Sequence, residues 1–199
     1  MKQWIDTFLS LVILVLLAPL FIFVALLIFC ISPGNVFYSQ PRLGKNGLVF
    51  NCYKFRSMYL DADERLRQLL AMNVHLRNEW RVHQKLKTDP RIFPLGNLLR
   101  KFSLDELPQF FNVLMGDLSI VGPRPYMVNQ EELLGAYREK ILSIKPGITG
   151  LWQTSGRSST TFEGRIVLDA TYVDCRSSWL DFKLIIKTIP TVLFGDNAH

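Results

Sequence analysis

Two acids, Asp105 and Glu106, stand side by side between two arginines, Arg100 and Arg124, within one 25-residue stretch. A carboxylate supplies a nucleophile or a Mg²⁺ ligand, and an arginine fork matches phosphate oxygens. Together they point to attack on phosphorus, with arginines and a divalent ion neutralising the developing charge. The local alternative is structural. Ser103-Leu104-Asp105-Glu106 has capping-box spacing, with Ser103 starting a helix that runs to Met115. The two roles are compatible, because a carboxylate at a helix N-terminus stays ionised. Arg124 lies in Gly122-Pro123-Arg124-Pro125, where two prolines limit its freedom. Neither a P-loop nor a G-x-G-x-x-G fingerprint is present.

The elements around these residues predict an α+β chain with a membrane anchor. Its 199 residues suit one compact domain plus a membrane element, divided as residues 1–34 and 35–199. Mean hydropathy is +0.17, and the excess is local. From Phe8 to Ile31 there are 24 uncharged residues with only Ser10 clearly polar. As a helix that run reaches roughly 36 Å, against a bilayer core of about 30 Å. A cleaved signal peptide would have a shorter apolar run and a small-residue cleavage pattern.

Pro19 predicts a kink near the middle of this helix. The segment alone permits a bent span or a re-entrant hairpin with both ends cytoplasmic, the bent span being the commoner outcome. Arg42, Lys45, Lys54 and Arg56 follow with no acid before Asp61, which places the globular part in the cytoplasm. The net charge of +6 suits anionic headgroups and phosphate-bearing substrates. Charge alone also admits nucleic acid, but no motif supports it. Three scattered cysteines and three scattered histidines predict a reducing compartment and no transition-metal site.

Gly44-Lys45-Asn46-Gly47 between apolar runs predicts a hairpin, with Lys54 and Arg56 on one face of its second strand. Residues 60–87 read as an amphipathic helix or helix pair opened by Asp61. Trp80, among Arg77, Arg81 and Lys85, suits a core contact or the headgroup level. Further helices are expected over Leu95–Lys101, Val128–Lys140, 162–175 and Ser178–Phe194, with strands at Leu118–Val121 and Leu151–Gln153. The last helix carries an apolar set ending at Val192 and suits the membrane interface or a core.

In this order the motifs resemble those of the bacterial monotopic phosphoglycosyl transferases, the polyprenyl-phosphate hexose-1-phosphate transferases. The likeness is carried by the Pro-broken helix, Tyr53-Lys54-Phe55-Arg56-Ser57-Met58, Ser103-Leu104-Asp105-Glu106-Leu107-Pro108, Val121-Gly122-Pro123-Arg124-Pro125, Pro146-Gly147-Ile148-Thr149-Gly150 and Leu168-Asp169-Ala170-Thr171-Tyr172-Val173. The resemblance implies that Asp105 attacks the β-phosphate of a UDP-sugar and expels UMP. Undecaprenyl phosphate would then take the phosphosugar from the aspartate. It implies Mg²⁺ held by Asp105 and Glu106, phosphate binding by Arg100 and Arg124, and substrate contacts from Lys54, Arg56 and Asp169. It also implies a re-entrant helix bent at Pro19, a cytoplasmic-face catalytic domain on the inner membrane, and a role in surface-glycan synthesis.

Ala18 stands where a serine often precedes the family's proline. Residues 60–91 are longer than in the smallest members. With Gly150-Leu151-Trp152-Gln153 and Ser155-Gly156-Arg157-Ser158, they are similar to galactose-1-phosphate transferring relatives. UDP-galactose is therefore the expected donor, with UDP-glucose or a UDP-N-acetylhexosamine as alternatives. The expected form is a short member or part of a longer protein, and a homodimer is compatible with it. The competing class is a non-catalytic basic scaffold at a membrane surface.

Overall fold

The computed structural model describes residues 2–83, 86, 89–155 and 160–194. Expectations attached to Lys85, to Gly156-Arg157-Ser158, to His199 among the three histidines, and to the side chain of Val192 fall outside what is described. The chain begins with α1 (Lys2–Ile31), the one helix among the described residues long and apolar enough to cross a membrane. Pro19 lies inside it, and helical assignment continues through that position.

One face of α1 packs on the globular part. Asp6, Ser10, Leu14, Val24 and Ile28 are buried, whereas Phe8, Leu11, Val15, Ile22, Leu26 and Phe29 remain exposed. Val24 and Ile28 join Phe55, Phe93 and Leu99 in one core, with Phe21 edge-on to Phe111. Leu9, nearer the N-terminus, packs on a second core built from Val113, Leu118, Val121, Tyr172 and Leu184. A third core gathers Leu43, Tyr126, Leu134, Ile141 and Ile166. Helix α1 and the domain therefore share buried surface at several points along its length.

The hairpin forms as expected. β1 (Phe37–Leu43) pairs antiparallel with β2 (Val49–Phe55), Leu43 opposite Val49. Asn46 takes φ of 58° in the turn, a left-handed conformation that asparagine tolerates. Residues 60–83 resolve into a pair, α2 (Ala62–Met72) and α3 (Val74–His83). Asp61 does not cap α2 with its side chain; it pairs with Arg65 at 2.7 Å. Trp80 is half-buried under the guanidinium of Arg91, 4.9 Å from the ring centre.

α4 (Pro94–Lys101) is the expected short helix, begun by proline at its first position. The next segment departs from expectation. Ser103 has φ of 54° and its side chain makes no cap. A 3₁₀ turn spans Leu104–Glu106, and α5 (Gln109–Met115) starts only after Pro108. No continuous helix runs from Ser103 to Met115.

β3 (Ser119–Val121) pairs parallel with β4 (Gly147–Thr149), so the strand expected at Leu151–Gln153 lies earlier and those residues form a turn. Residues 128–137 are 3₁₀ turns interrupted at Gly135 (φ 50°), leaving only α6 (Arg138–Leu142) as α-helix where one from Val128 was expected. α7 (Phe162–Cys175), capped by the Thr161 side chain, and α8 (Ser178–Phe194) match their expected bounds. In α8, Leu184 enters the core while Trp179, Phe182, Ile186 and Ile189 form an exposed apolar stripe.

Candidate active site

The left-handed turn at Ser103 reverses the chain after α4. It carries Asp105 and Glu106 back beside Arg100, in the last turn of that helix. Opposite them stands β2. Lys54 Nζ lies 2.6 Å from Glu106 Oε1 and 3.7 Å from Asp105 Oδ2. Asn112, wholly buried, fixes this register: its Oδ1 accepts from Tyr53 N–H at 2.9 Å and its Nδ2 donates to Asn51 O at 2.8 Å. One amide thus ties α5 to the two residues flanking Cys52, next to Lys54.

Asp105 is only 7% exposed. Burial pushes its carboxyl above the usual range, aided by the Glu106 charge, while Lys54 and Arg100 pull it down. Arg100 is itself desolvated, and its Nε donates to Ser57 Oγ at 2.9 Å. Arg124 completes the cluster, its Nη2 3.9 Å from Glu106 Oε1.

Main-chain contacts set the Arg124 loop. Gly122 N–H donates to Thr149 O at 2.9 Å, and Gly147 N–H donates to Pro123 O at 2.8 Å. The approach needs glycine: a Cβ on Gly122 would lie 2.7 Å from Lys145 O and 2.8 Å from Gly147 N. The motifs at 122–125 and 146–150 are thus two sides of one backbone crossing.

Asp169 supports the same loop from beneath. It is 0% exposed and accepts from Tyr126 OH at 2.7 Å and from the Arg124 N–H at 3.3 Å. Burial raises its pKa to about 6, against the pull of Tyr126 and Arg165. Asp169 therefore acts on Arg124 through the backbone rather than by facing the acids. Arg56 is not brought to the cluster. It is buried at the end of α1 and donates to Ser32 O, tying anchor to domain.

Two arginines join the site without having been singled out. Arg42 lines the cleft with Lys54, Glu106 and Arg124, and its Nη1 donates to Pro125 O at 3.0 Å. Burial lowers its pKa to about 10. Arg165 sits over Tyr126 and faces Trp152, whose indole also lies 5.2 Å from the Arg124 guanidinium. Arg165 and Asp169 lie one turn apart on α7, a spacing that places both on one face and offered a signal. Arg42 alternates with Gln40 on β1, which alone is no distinguishing mark.

Lys54, Arg100, Arg124 and Arg42 thus surround an adjacent acid pair, a charge arrangement suited to anionic phosphate groups. The sequence profile of the bacterial sugar transferase family matches residues 1–195, and the chain belongs to that family. It is 41% identical over 198 residues to the exopolysaccharide production protein ExoY of Sinorhizobium fredii, covering all of this chain and 88% of that protein. It is 42% identical over 199 residues to the undecaprenyl-phosphate galactose phosphotransferase of Salmonella typhimurium, all of this chain but 42% of the relative. Against the UDP-glucose:undecaprenyl-phosphate glucose-1-phosphate transferase of Klebsiella pneumoniae it is 38% identical over 209 residues, spanning 41% of that protein. The chain thus spans nearly all of one relative and less than half of the others.

Proposed function

We propose that the chain transfers a hexose 1-phosphate from a UDP-sugar to a polyprenyl phosphate, through a phosphosugar held on Asp105. A carboxylate oxygen of Asp105 attacks the β-phosphorus, and the bond to the bridging oxygen breaks, releasing UMP. A phosphate oxygen of the polyprenyl phosphate then attacks the same phosphorus. The aspartyl–phosphorus bond breaks, Asp105 is restored, and a polyprenyl diphosphate sugar is formed. The observation that carries this reading is the convergence of Lys54, Arg100 and Arg124 on the Asp105–Glu106 pair.

Lys54 opposes the burial-driven rise of the Asp105 pKa and so favours its carboxylate form, and the arginines face the charge that develops on phosphate oxygens. Two adjacent carboxylates fit Mg²⁺, which takes one or two protein carboxylates and completes its shell with water and substrate phosphates. Asp105 and Glu106 would hold it, and when bound it adds positive charge against the diphosphate.

UDP-galactose and undecaprenyl phosphate are the proposed substrates, drawn from the resemblance and from the names of the relatives. A cytoplasmic-face, re-entrant placement is supported by the two ends of α1. Lys2 bonds Asp181 at 2.5 Å, and Ser32 O accepts from Arg56, so both ends touch the same domain. Incubation with a UDP-sugar and Mg²⁺ in the absence of lipid acceptor should add one phosphohexose to the intact mass, mapped to Asp105. An unmodified mass under conditions that release UMP would overturn the covalent route. A panel of UDP-hexoses scored for UMP release identifies the donor.

A further inference from the structure

A second cleft, of about 460 Å³, opens where the N-terminal end of α1 meets β3 and the start of α8. Four cations line it, Lys2, Lys45, Lys145 and Arg176, together with two carboxylates, Asp6 and Asp181. Both carboxylates are satisfied within the chain. Asp181 binds Lys2 at 2.5 Å and accepts from Tyr172 OH at 2.6 Å; Asp6 accepts from Ser119 Oγ at 2.6 Å. Among the described residues, Lys45, Lys145 and Arg176 make no ion pair. Lys145 Nζ and Gln3 Nε2 converge on Gly116, where a Cβ would lie 3.4 and 4.0 Å from them. The surplus on the lining is positive.

The depth of the cleft is marked by aromatic residues on both flanking helices. Trp4 on α1 is 80% exposed, and Trp179 on α8 is 64% exposed and stacked on Phe182 at 5.7 Å. Exposed tryptophans beside apolar helix surface settle at the headgroup level of a bilayer. Lys183 Nζ, 5.1 Å from the Trp179 ring, adds charge at the same level. A cationic cavity at that depth meets the phosphates of lipid headgroups rather than acyl chains.

We propose that this cleft binds the phosphodiester headgroup of an anionic phospholipid, with Lys145 and Arg176 as its principal contacts. It stands apart from the acid dyad, and its neighbours on the lipid side are α1 and the exposed stripe of α8. A zwitterionic headgroup would bring its own cation against Lys45, Lys145 and Arg176, so discrimination by headgroup charge follows.

The test is native mass spectrometry of the full chain in detergent, titrated with short-chain phosphatidylglycerol, short-chain phosphatidylcholine or glycerol 3-phosphate. Phosphatidylglycerol should be retained in preference to the other two. Lys145→Gln combined with Arg176→Gln should weaken that retention roughly thirtyfold, about one kcal/mol per cation near the surface. Arg65→Gln with Arg67→Gln, an equal charge loss on α2, should leave it unchanged. Equal retention of phosphatidylcholine, or unaltered retention by the Lys145/Arg176 variant, overturns the proposal. So does glycerol 3-phosphate binding as tightly as the lipid, which would make this a free-phosphate site. Far-UV circular dichroism reports folding of each variant, and Lys145→Gln alone should weaken retention roughly fivefold if the double variant does not fold. Unchanged UMP release separates this outcome from any failure of the transferase reading.

Discussion

The Lys54 ammonium lies 2.6 Å from Glu106 and 3.7 Å from Asp105, close enough to serve both carboxylates from a neighbouring strand. Burial raises the Asp105 pKa and Lys54 opposes that rise. The ionised nucleophile is therefore lost, as pH falls, at a higher pH than for a free aspartate. Lys54→Met should move the acid limb of UMP release upward by roughly one pH unit or more. A pH–rate profile measures this; an unmoved limb would show that Lys54 does not set the charge state of Asp105.

Asp105→Asn keeps the shape of the side chain but removes its anionic oxygen. UMP release should fall about a thousandfold or more, with membrane association intact. Glu106→Gln, next to the nucleophile, should cost less, about a hundredfold, and should weaken the response to added Mg²⁺. Steady-state UMP release for both variants, together with vesicle flotation, separates a catalytic role from a scaffold. A scaffold would float normally and show no turnover even as wild type.

For Asp169 the sign of the pH effect is opposite to that of an ordinary salt-bridged acid. Its pKa rises from 3.8 unfolded to about 6 folded, so the folded chain holds the proton more tightly across that window. Its contribution to stability falls as pH rises from about 4 to about 6. Asp169→Asn should flatten that part of the stability profile, read by chemical denaturation at several pH values. Because Asp169 holds the Arg124 amide, the same variant should raise KM for the donor.

Lys2 reaches Asp181 across 179 positions of sequence, and this contact places the first residues of α1 against the domain. In cells, a cysteine at position 2, with exposed Cys30 and Cys175 changed to serine, should resist an impermeant external reagent. Labelling in intact cells would establish a full span and would require the Lys2–Asp181 pair to break in the membrane.

The hairpin, α4, α7 and α8 were legible in the sequence: Asn46-Gly47 is a turn in its expected place, and the structure adds Pro94 at the start of α4 and Thr161 as the cap of α7. The acid pair and Arg124 were legible because they lie in short motifs with a mechanism. What escaped depended on backbone states and long-range partners. Ser103 and Gly135 adopt positive φ, so the helix expected to start at Ser103 is delayed past Pro108 and the one expected over Val128–Lys140 is interrupted. Arg56, two residues after Lys54, falls just beyond the end of β2, and Ser32 at the end of α1 claims it. Arg42 became visible only when Pro125 was brought beside it, whereas Arg165 had its one-turn spacing from Asp169 as an unused signal before Tyr126 and Trp152 came to face it.

The crossing of Gly122 over Gly147 and Gly150 leaves no room for a side chain on any of the three. The position of the loop that carries Arg124 is consequently set by main chain, and surrounding side chains can be exchanged without shifting it. On the proposed function, a scaffold of that kind lets sugar preference drift while the Arg124 loop stays put. Swapping residues around the Trp152 turn should retune which hexose is accepted, and engineering of donor choice can begin there.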